Sequence, residues 1–478
     1  MKHKILLYII LTTAVIAGFI LYNPFLLYFQ NDDFVHIPLY AKGQFLQHNS
    51  FRPVCDLFMM MDYKLWGKNA YGYHITNLLL HIINSLLVYR LAFIICLKYN
   101  IDKRLRQFGL IAAVLFFVYA NHSEAVFWIL GRSAIIGCLF FLPACIFYLQ
   151  REKKYYFFLS MLFACIAWCS YENTWVLPAV FVVISFIEIK KYPVILKTEA
   201  VKLFTAFFLF AIYLAARKLT INEIAGSYEA THFLQFDAGI LLENFIKMFV
   251  RCWLPPSGEK LFLILSIALL LLIFCALAII KDTKKIYTCS ALLFLTAISI
   301  LPCISLGTST NGSEGERFLY LPTVFCCLLF AYIYSSFMKT KKGGASFLLV
   351  IFSVHLYFLF ISGGNYQTAG NVVKSFTTAI SLLTDSSNIV IDNLPQEQHG
   401  ALIFRDGVQE AVEWLYKNKS YNIIVCSKDS SNSLLFIKGY QTSKMLFKEL
   451  FSSSHCFPEN KNNCRYFRFT GSALLISQ

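Results

Sequence analysis

The sequence predicts an α-helical polytopic membrane protein that carries a small α/β domain outside the membrane at its C-terminal side. Three observations predict it: long apolar runs recur along the chain, short Lys/Arg clusters punctuate them, and the last quarter turns more polar and strand-like. Hydrophobic residues make up 58% of the 478, charged residues 14%, and mean hydropathy is +0.59, so the polar surface is too small to coat a water-soluble globule. The net charge of +15 falls in short clusters rather than on a basic face interleaved with aromatics, which argues against a nucleic-acid partner.

The clusters are Lys2/Lys4, Lys98/Lys103/Arg104/Arg106, Arg151/Lys153/Lys154, Lys190/Lys191/Lys197, Lys281/Lys284/Lys285 and Lys339/Lys341/Lys342. Placed inside by the positive-inside rule, they give an out-and-back path with the N-terminus cytoplasmic and the C-terminus outside. Spans fall at about 5–28, 74–97, 107–120, 133–150, 155–171, 174–189, 203–220, 261–280, 286–304, 318–337 and 345–362, about eleven in all. The first run is longer than a signal-peptide core and lacks a small-residue cleavage site before Asp32, so it reads as an uncleaved anchor. Within 221–260, LLENFIKMFVRCWLPP has helical apolar spacing but is short and charged; it reads as an interfacial or re-entrant helix ended by Pro255-Pro256.

This path divides the chain into a membrane domain, 1–362, and an outer domain, 363–478. Strand-like NIVIDNL, ALIF, NIIVC and SLLFIKG and helix-like GVQEAVEWLYKN predict the α/β character of the second. Cys456 and Cys464 lie close enough in sequence for a disulfide in an oxidising compartment, whereas most other cysteines sit in spans as small apolar residues. Short loops and a compact tail point to a bacterial inner membrane, with the periplasm outside.

Nearly every distinctive polar group lands on the outer face. Asp32 and Asp33 follow the uncharged run Ile5–Gln30, and two readings apply: solvated acids ending a span, or acids held for chemistry. On the same face lie His36, Arg52, His74, His81, His122, Glu124, Arg132, Glu172, Glu316 and Arg317. Such a gathering suits an anionic substrate gripped by Arg and a proton taken by a carboxylate. His74 and His81, seven residues apart on one helix face, allow either a metal site or hydrogen bonds inside a bundle; Asn77 and Asn84 repeat the spacing and read as polar glue between spans. Trp128 serves either packing or sugar stacking.

Four stretches carry a family resemblance in order: DD with FRPVCDLFMMMDYKLWGKNAYGYHITNLLLHIINSLLVY, then NHSEAVFWILGR, SYENTWVLP and ERFLYLP. Over about 25–325 the chain resembles the polytopic GT-C glycosyltransferases, particularly the protein O-mannosyltransferase-like group. Tyr171 stands where that group commonly has Lys, and the sequence shows no tetratricopeptide array of the kind some members carry. The resemblance implies a sugar taken from a polyprenyl-phosphate-linked donor and transferred, with inversion, to an extracytoplasmic glycan or protein, the partners being that lipid, the acceptor and the bilayer. It places Asp33, with Asp32 beside it, as the base. Arg52, Arg132 and Arg317 are candidates to clamp the donor phosphate, with His74, Glu124, Glu172 and Glu316 as further substrate-binding candidates. A divalent metal on the acids is the open alternative role. A transporter or flippase of lipid-linked sugars is the competing class, for which ionisable groups near mid-membrane and inverted repeats are expected.

Overall fold

The computed structural model describes residues 2–45, 50–99, 105–222, 237–338, 343–381, 388–392, 394–416, 422–426, 464–470 and 473–477. Among them, seven helices are long and apolar enough to cross a membrane, or eight if a bent pair counts as one span. Three further apolar helices, Thr12–Leu26, Lys154–Trp168 and Pro322–Phe337, match expected spans in position but are shorter. The expected eleven thus includes segments that do not qualify by length alone. The chain is an integral membrane protein built almost entirely of helices.

In order, the helices that matter for the site are α1 (Lys2–Tyr22), α2 (Asp33–Ala41), α3 (Pro53–Trp66), α4 (Ala70–Tyr99), α5 (Leu105–Phe117), α6 (Ser123–Phe127) and α7 (Arg132–Leu149). They continue with α8 (Lys154–Trp168), α9 (Leu177–Lys191), α10 (Leu196–Ile221), α11 (Ala238–Arg251), α12 (Glu259–Ile279), α13 (Thr283–Ile300), α14 (Pro322–Ile333), α15 (Gly343–Ser381) and α16 (Val408–Leu415). The centre of the bundle is α4 against α5 and α7, with α7 also on α8 and α14 closing against α5 and α13. The periodicity of α4 explains its place. Its His74, Asn77, His81, Asn84 and Ser85 are buried on one side, while Leu79 and Ile83 are exposed.

Buried polar groups are costly unless bonded, and the side chains of α4 reach neighbouring carbonyls and a tyrosine hydroxyl. Asn77 donates to the Val126 and Trp128 carbonyls at 3.2 and 3.1 Å, Asn84 to the Ile135 carbonyl at 2.9 Å, and His81 Nδ1 meets the Tyr320 hydroxyl at 2.7 Å. His74 Nε2 lies 3.3 Å from the Tyr28 carbonyl. The histidines therefore serve the bundle, and no group of three or more His, Cys, Asp or Glu among the described residues gathers for a metal ion.

Two breaks shape the end of the bundle that carries the acids. The span from Arg106 is bent by 58° before Ala120–Phe127, so NHSEAVF turns aside instead of continuing the helix. The helix α11 ends at Arg251, four residues before Pro255-Pro256. One boundary moves: the expected last span, 345–362, is only the first half of α15, which continues to Ser381. No proline or charge interrupts SGGNYQTAGNVV, and two of its three glycines are used for packing: a Cβ on Gly363 would sit 3.2 Å from the Phe127 ring, and one on Gly370 3.1 Å from Tyr28. Leaving Phe360 exposed but Tyr366, Val373 and Phe376 buried, the helix changes surroundings along its length.

Beyond α15 a mixed sheet has the order β4-β1-β5-β6, with β1 (Asn388–Asp392), β4 (Asn422–Cys426), β5 (Cys464–Thr470) and β6 (Ala473–Ser477). The strand β1 runs parallel to β4 and β5, and β5 antiparallel to β6. A short antiparallel pair, β2 (Glu397–Gln398) and β3 (Ala401–Leu402), precedes α16. SLLFIKG and Cys456 lie outside the described residues, so the expected disulfide to Cys464 does too.

Candidate active site

The acid corner begins at a forced turn. Asn31 adopts a left-handed φ of 47°, a conformation Asn accepts more readily than most side chains, and α2 starts two residues later. Asp33, fully buried, accepts the Gln30 backbone N–H at 2.9 Å, a bond within the turn itself. Burial pushes its carboxyl well above the usual carboxylate range, and the charge of Asp32 adds to the rise, against the Gln30 N–H. Asp32 is less enclosed and lines a cavity of about 160 Å³. Its pKa is also raised by burial, while Arg317 and Arg405 pull it down.

Around that cavity stand Arg52, Arg317, Trp128, Tyr171, His36, Tyr40 and Asp56. The two arginines have matching surroundings. Arg52 binds Glu172, with both Nε and a terminal nitrogen 2.8 Å from one carboxylate oxygen, and lies 4.8 Å from the centre of the Tyr171 ring. Arg317 binds Glu124 through its side chain, donates its backbone N–H to the same carboxylate at 2.9 Å, and lies 5.0 Å from the Trp128 ring centre. Each guanidinium is thus held by a carboxylate and an aromatic face while bordering the cavity, an arrangement that fixes a positive group without filling the space beside it.

The remaining candidates divide. Arg132 also borders the cavity, but its Nε donates to Asn77, one terminal nitrogen to Asp62 and the other to the Tyr73 carbonyl at 2.8 Å. Its nitrogens tie α7 to α3 and α4, so a phosphate would have to displace internal bonds. Glu172 and Glu124 do not line the cavity; they hold its arginines, and Glu172 is shared with Arg217, 3.1 Å away. Glu316 is buried against Arg251 at 2.5 Å, and burial raises its carboxyl to about 7 against that arginine's pull. His74 lies among the buried groups of α4, away from the cavity lining.

Sequence reasoning passed over Tyr40 and Asp56, whose hydroxyl–carboxylate bond of 2.9 Å sits in the cavity wall. Their signal was available: Asp56 follows Arg52 by one helical turn, and its N–H bonds the Arg52 carbonyl at 3.1 Å. No local signal marks Arg217, Arg251 or Arg405, each of which bonds a carboxylate far away in sequence.

No family model matches the chain. In sequence it is similar to protein O-mannosyl-transferases. One of Caenorhabditis elegans is 24% identical over 399 residues, covering 78% of this chain and 53% of that protein. The Homo sapiens protein O-mannosyl-transferase TMTC1 is 35% identical over 104 residues, 21% of this chain and 11% of the relative. The matches therefore span about half, or far less, of these relatives' own lengths. Among solved structures, ArnT from Cupriavidus metallidurans bound to undecaprenyl phosphate aligns over 98% of this chain and 93% of its own, at 9% identity and a TM-score of 0.45.

Proposed function

We propose that the protein is a membrane glycosyltransferase that moves a sugar from a polyprenyl-phosphate-linked donor to a hydroxyl of an extracytoplasmic glycan or protein. The observation that carries this reading is the cavity in which Asp32 shares a wall with Arg52 and Arg317, each arginine held by a carboxylate and a ring. Similarity to protein O-mannosyl-transferases supports the reaction class.

In this reading Asp32, rather than Asp33, is the base, because Asp32 borders the cavity and Asp33 is enclosed within the turn. An acceptor hydroxyl gives its proton to the Asp32 carboxylate as its oxygen bonds the anomeric carbon. The bond from that carbon to the phosphate oxygen breaks on the opposite face, its electron pair leaving with the lipid phosphate, so the configuration inverts. Arg52 and Arg317 stabilise the phosphate dianion that develops, since their charge is permanent and their fork suits phosphate oxygens. Trp128 and Tyr171 give the cavity its apolar faces. The membrane orientation that suits this chemistry keeps the Asp32 side extracytoplasmic, in a bacterial inner membrane.

Mass spectrometry of envelope glycans and glycoproteins from cells with and without the gene tests it. A hexose or pentose missing without the gene, restored by the wild type and not by Asp32→Asn at equal membrane abundance, is the expected result. Normal glycosylation by Asp32→Asn sinks the mechanism, and full activity of Asp32→Asn beside loss in Asp33→Asn returns the base to Asp33.

A further inference from the structure

The segment after α15 returns to the acid corner and touches it at its most constrained point. Every polar group of Asn31 is engaged there. Its backbone N–H donates to the Ile403 carbonyl at 2.9 Å, its carbonyl accepts from Phe34 at 3.2 Å, and its side-chain oxygen accepts the Asp406 N–H at 2.8 Å. Its amide nitrogen donates to Asp32 Oδ1 at 2.7 Å. The turn that makes this possible requires glycine: Gly407 has φ 83°, and a Cβ there would lie 2.8 Å from the Asn31 carbonyl oxygen.

The returning segment is itself anchored. Arg405 pairs with Glu314 at 2.5 Å and Glu397 at 3.0 Å, Lys68 donates to the Leu415 carbonyl at 3.2 Å, and Trp414 packs edge-on against Phe29 with ring centres 5.0 Å apart. Phe404 stacks on Phe34 of α2 at 6.0 Å. A hydrogen bond aimed at one carboxylate oxygen fixes the side chain's rotation and favours its charged form.

We propose that the turn Ile403–Gly407, acting through Asn31 as a positioning residue, orients the Asp32 carboxylate and favours its charged form against burial, so that this part of the C-terminal segment belongs to the active site. The inference deepens the glycosyltransferase reading and rests on it for the purpose of Asp32. The groups acting on Asp32 are Asn31 as donor, Arg317 and Arg405 as cations, and the neighbouring acids Asp33 and Asp406, with His36 in the same cavity wall.

The test uses the full chain in lipid nanodiscs and needs no substrate. Infrared difference spectra through a pH titration, with the same titration of Asp32→Asn subtracted, report the Asp32-dependent carboxyl midpoint together with the response of the coupled acids Asp33 and Asp406. Asn31→Gly keeps the left-handed backbone while removing the donor, and is expected to raise that midpoint by about one pH unit. Arg405→Gln, which removes a cation, is expected to raise it by a smaller amount. Envelope product made in cells should fall about tenfold for Asn31→Gly. Unchanged midpoints in both variants, with monodisperse protein, overturn the proposal. If the midpoints shift but Asp32→Asn still makes product, the glycosyltransferase mechanism fails while the positioning of Asp32 stands.

Discussion

The two ends of α7 are both closed by arginines paired with glutamates, and they differ in what the pairs leave open. Beyond the far end, Arg151 donates to Glu199 Oε2 from Nε at 3.1 Å and from a terminal nitrogen at 2.7 Å, and Ser185 donates to the same oxygen at 2.8 Å. Lys202 takes the other oxygen at 2.9 Å, and Tyr148 bonds Ser185 at 2.7 Å. Both partners are nearly inaccessible, with 3% of each side chain exposed. At the near end, Arg52 and Arg317 are 17% and 18% exposed and border a cavity. Identical residue types therefore do different work: one network closes α7 against α9 and α10, and the other presents fixed positive charge to a cavity. Arg132, at the very start of α7, belongs with the closed kind although it touches the cavity.

Substitutions should separate the two ends. The largest expected effect is on transfer: Arg317→Ala should lower kcat/KM by about a hundredfold or more, the scale of losing a donor aimed at developing charge. The substitution also leaves the buried Glu124 with only the Arg317 backbone N–H, so a lower melting temperature is expected beside the loss of activity, and an unchanged kcat/KM in the protein that stays folded would place Arg317 with the structural arginines. Next, Glu199→Ala should cost about 3 kcal/mol of stability by leaving Arg151 buried without its carboxylate, read as a drop in thermal midpoint. The kcat of the protein that remains folded should match wild type; reduced kcat would tie the far network to the chemistry.

Arg52→Lys keeps a charge but not the two-nitrogen grip or the stacking on Tyr171, so a few-fold fall in kcat, with a smaller change in KM for the lipid donor, is expected. The smallest effect concerns Glu316. Its folded pKa of about 7 lies above its ordinary value of 4.5, so the folded state holds the proton more tightly. Its contribution to stability is complete below pH 4.5 and declines as pH rises through 7. Thermal unfolding of wild type and Glu316→Gln across pH 5–8 should show that decline flattened in the variant, and parallel curves would remove Glu316 from the account.

Much of the helical plan was legible because apolar runs and charge clusters are local signals. Every expected span coincides with an apolar helix, and the short α11 stops where its Pro-Pro pair lies ahead. The exception at 362 has a physical cause: the C-terminal half of α15 has lost its apolar monotony but keeps one packing face, which a hydropathy reading does not weigh. Of the site, the membership of Asp32, Arg52 and Arg317 in one corner followed from topology and family motifs. What did not follow was rank. Burial sets Asp33 behind Asp32 and fully engages Arg132, and both depend on neighbours from other helices. Arg405 and the turn around Gly407 were illegible because their partners, Glu314 and Asn31, lie 91 and more than 370 residues away.

That last separation also sets an order of events in biosynthesis. Asn31 and Asp406 are 375 residues apart. At roughly 5–20 residues per second, about twenty seconds to over a minute pass between the emergence of one and the other. Through that interval the helices from α2 to α15 are synthesised while the first acids wait without their closing turn. The acid corner is therefore closed only after the helices up to α15 have been made, when the segment carrying Asp406 folds back onto Asn31.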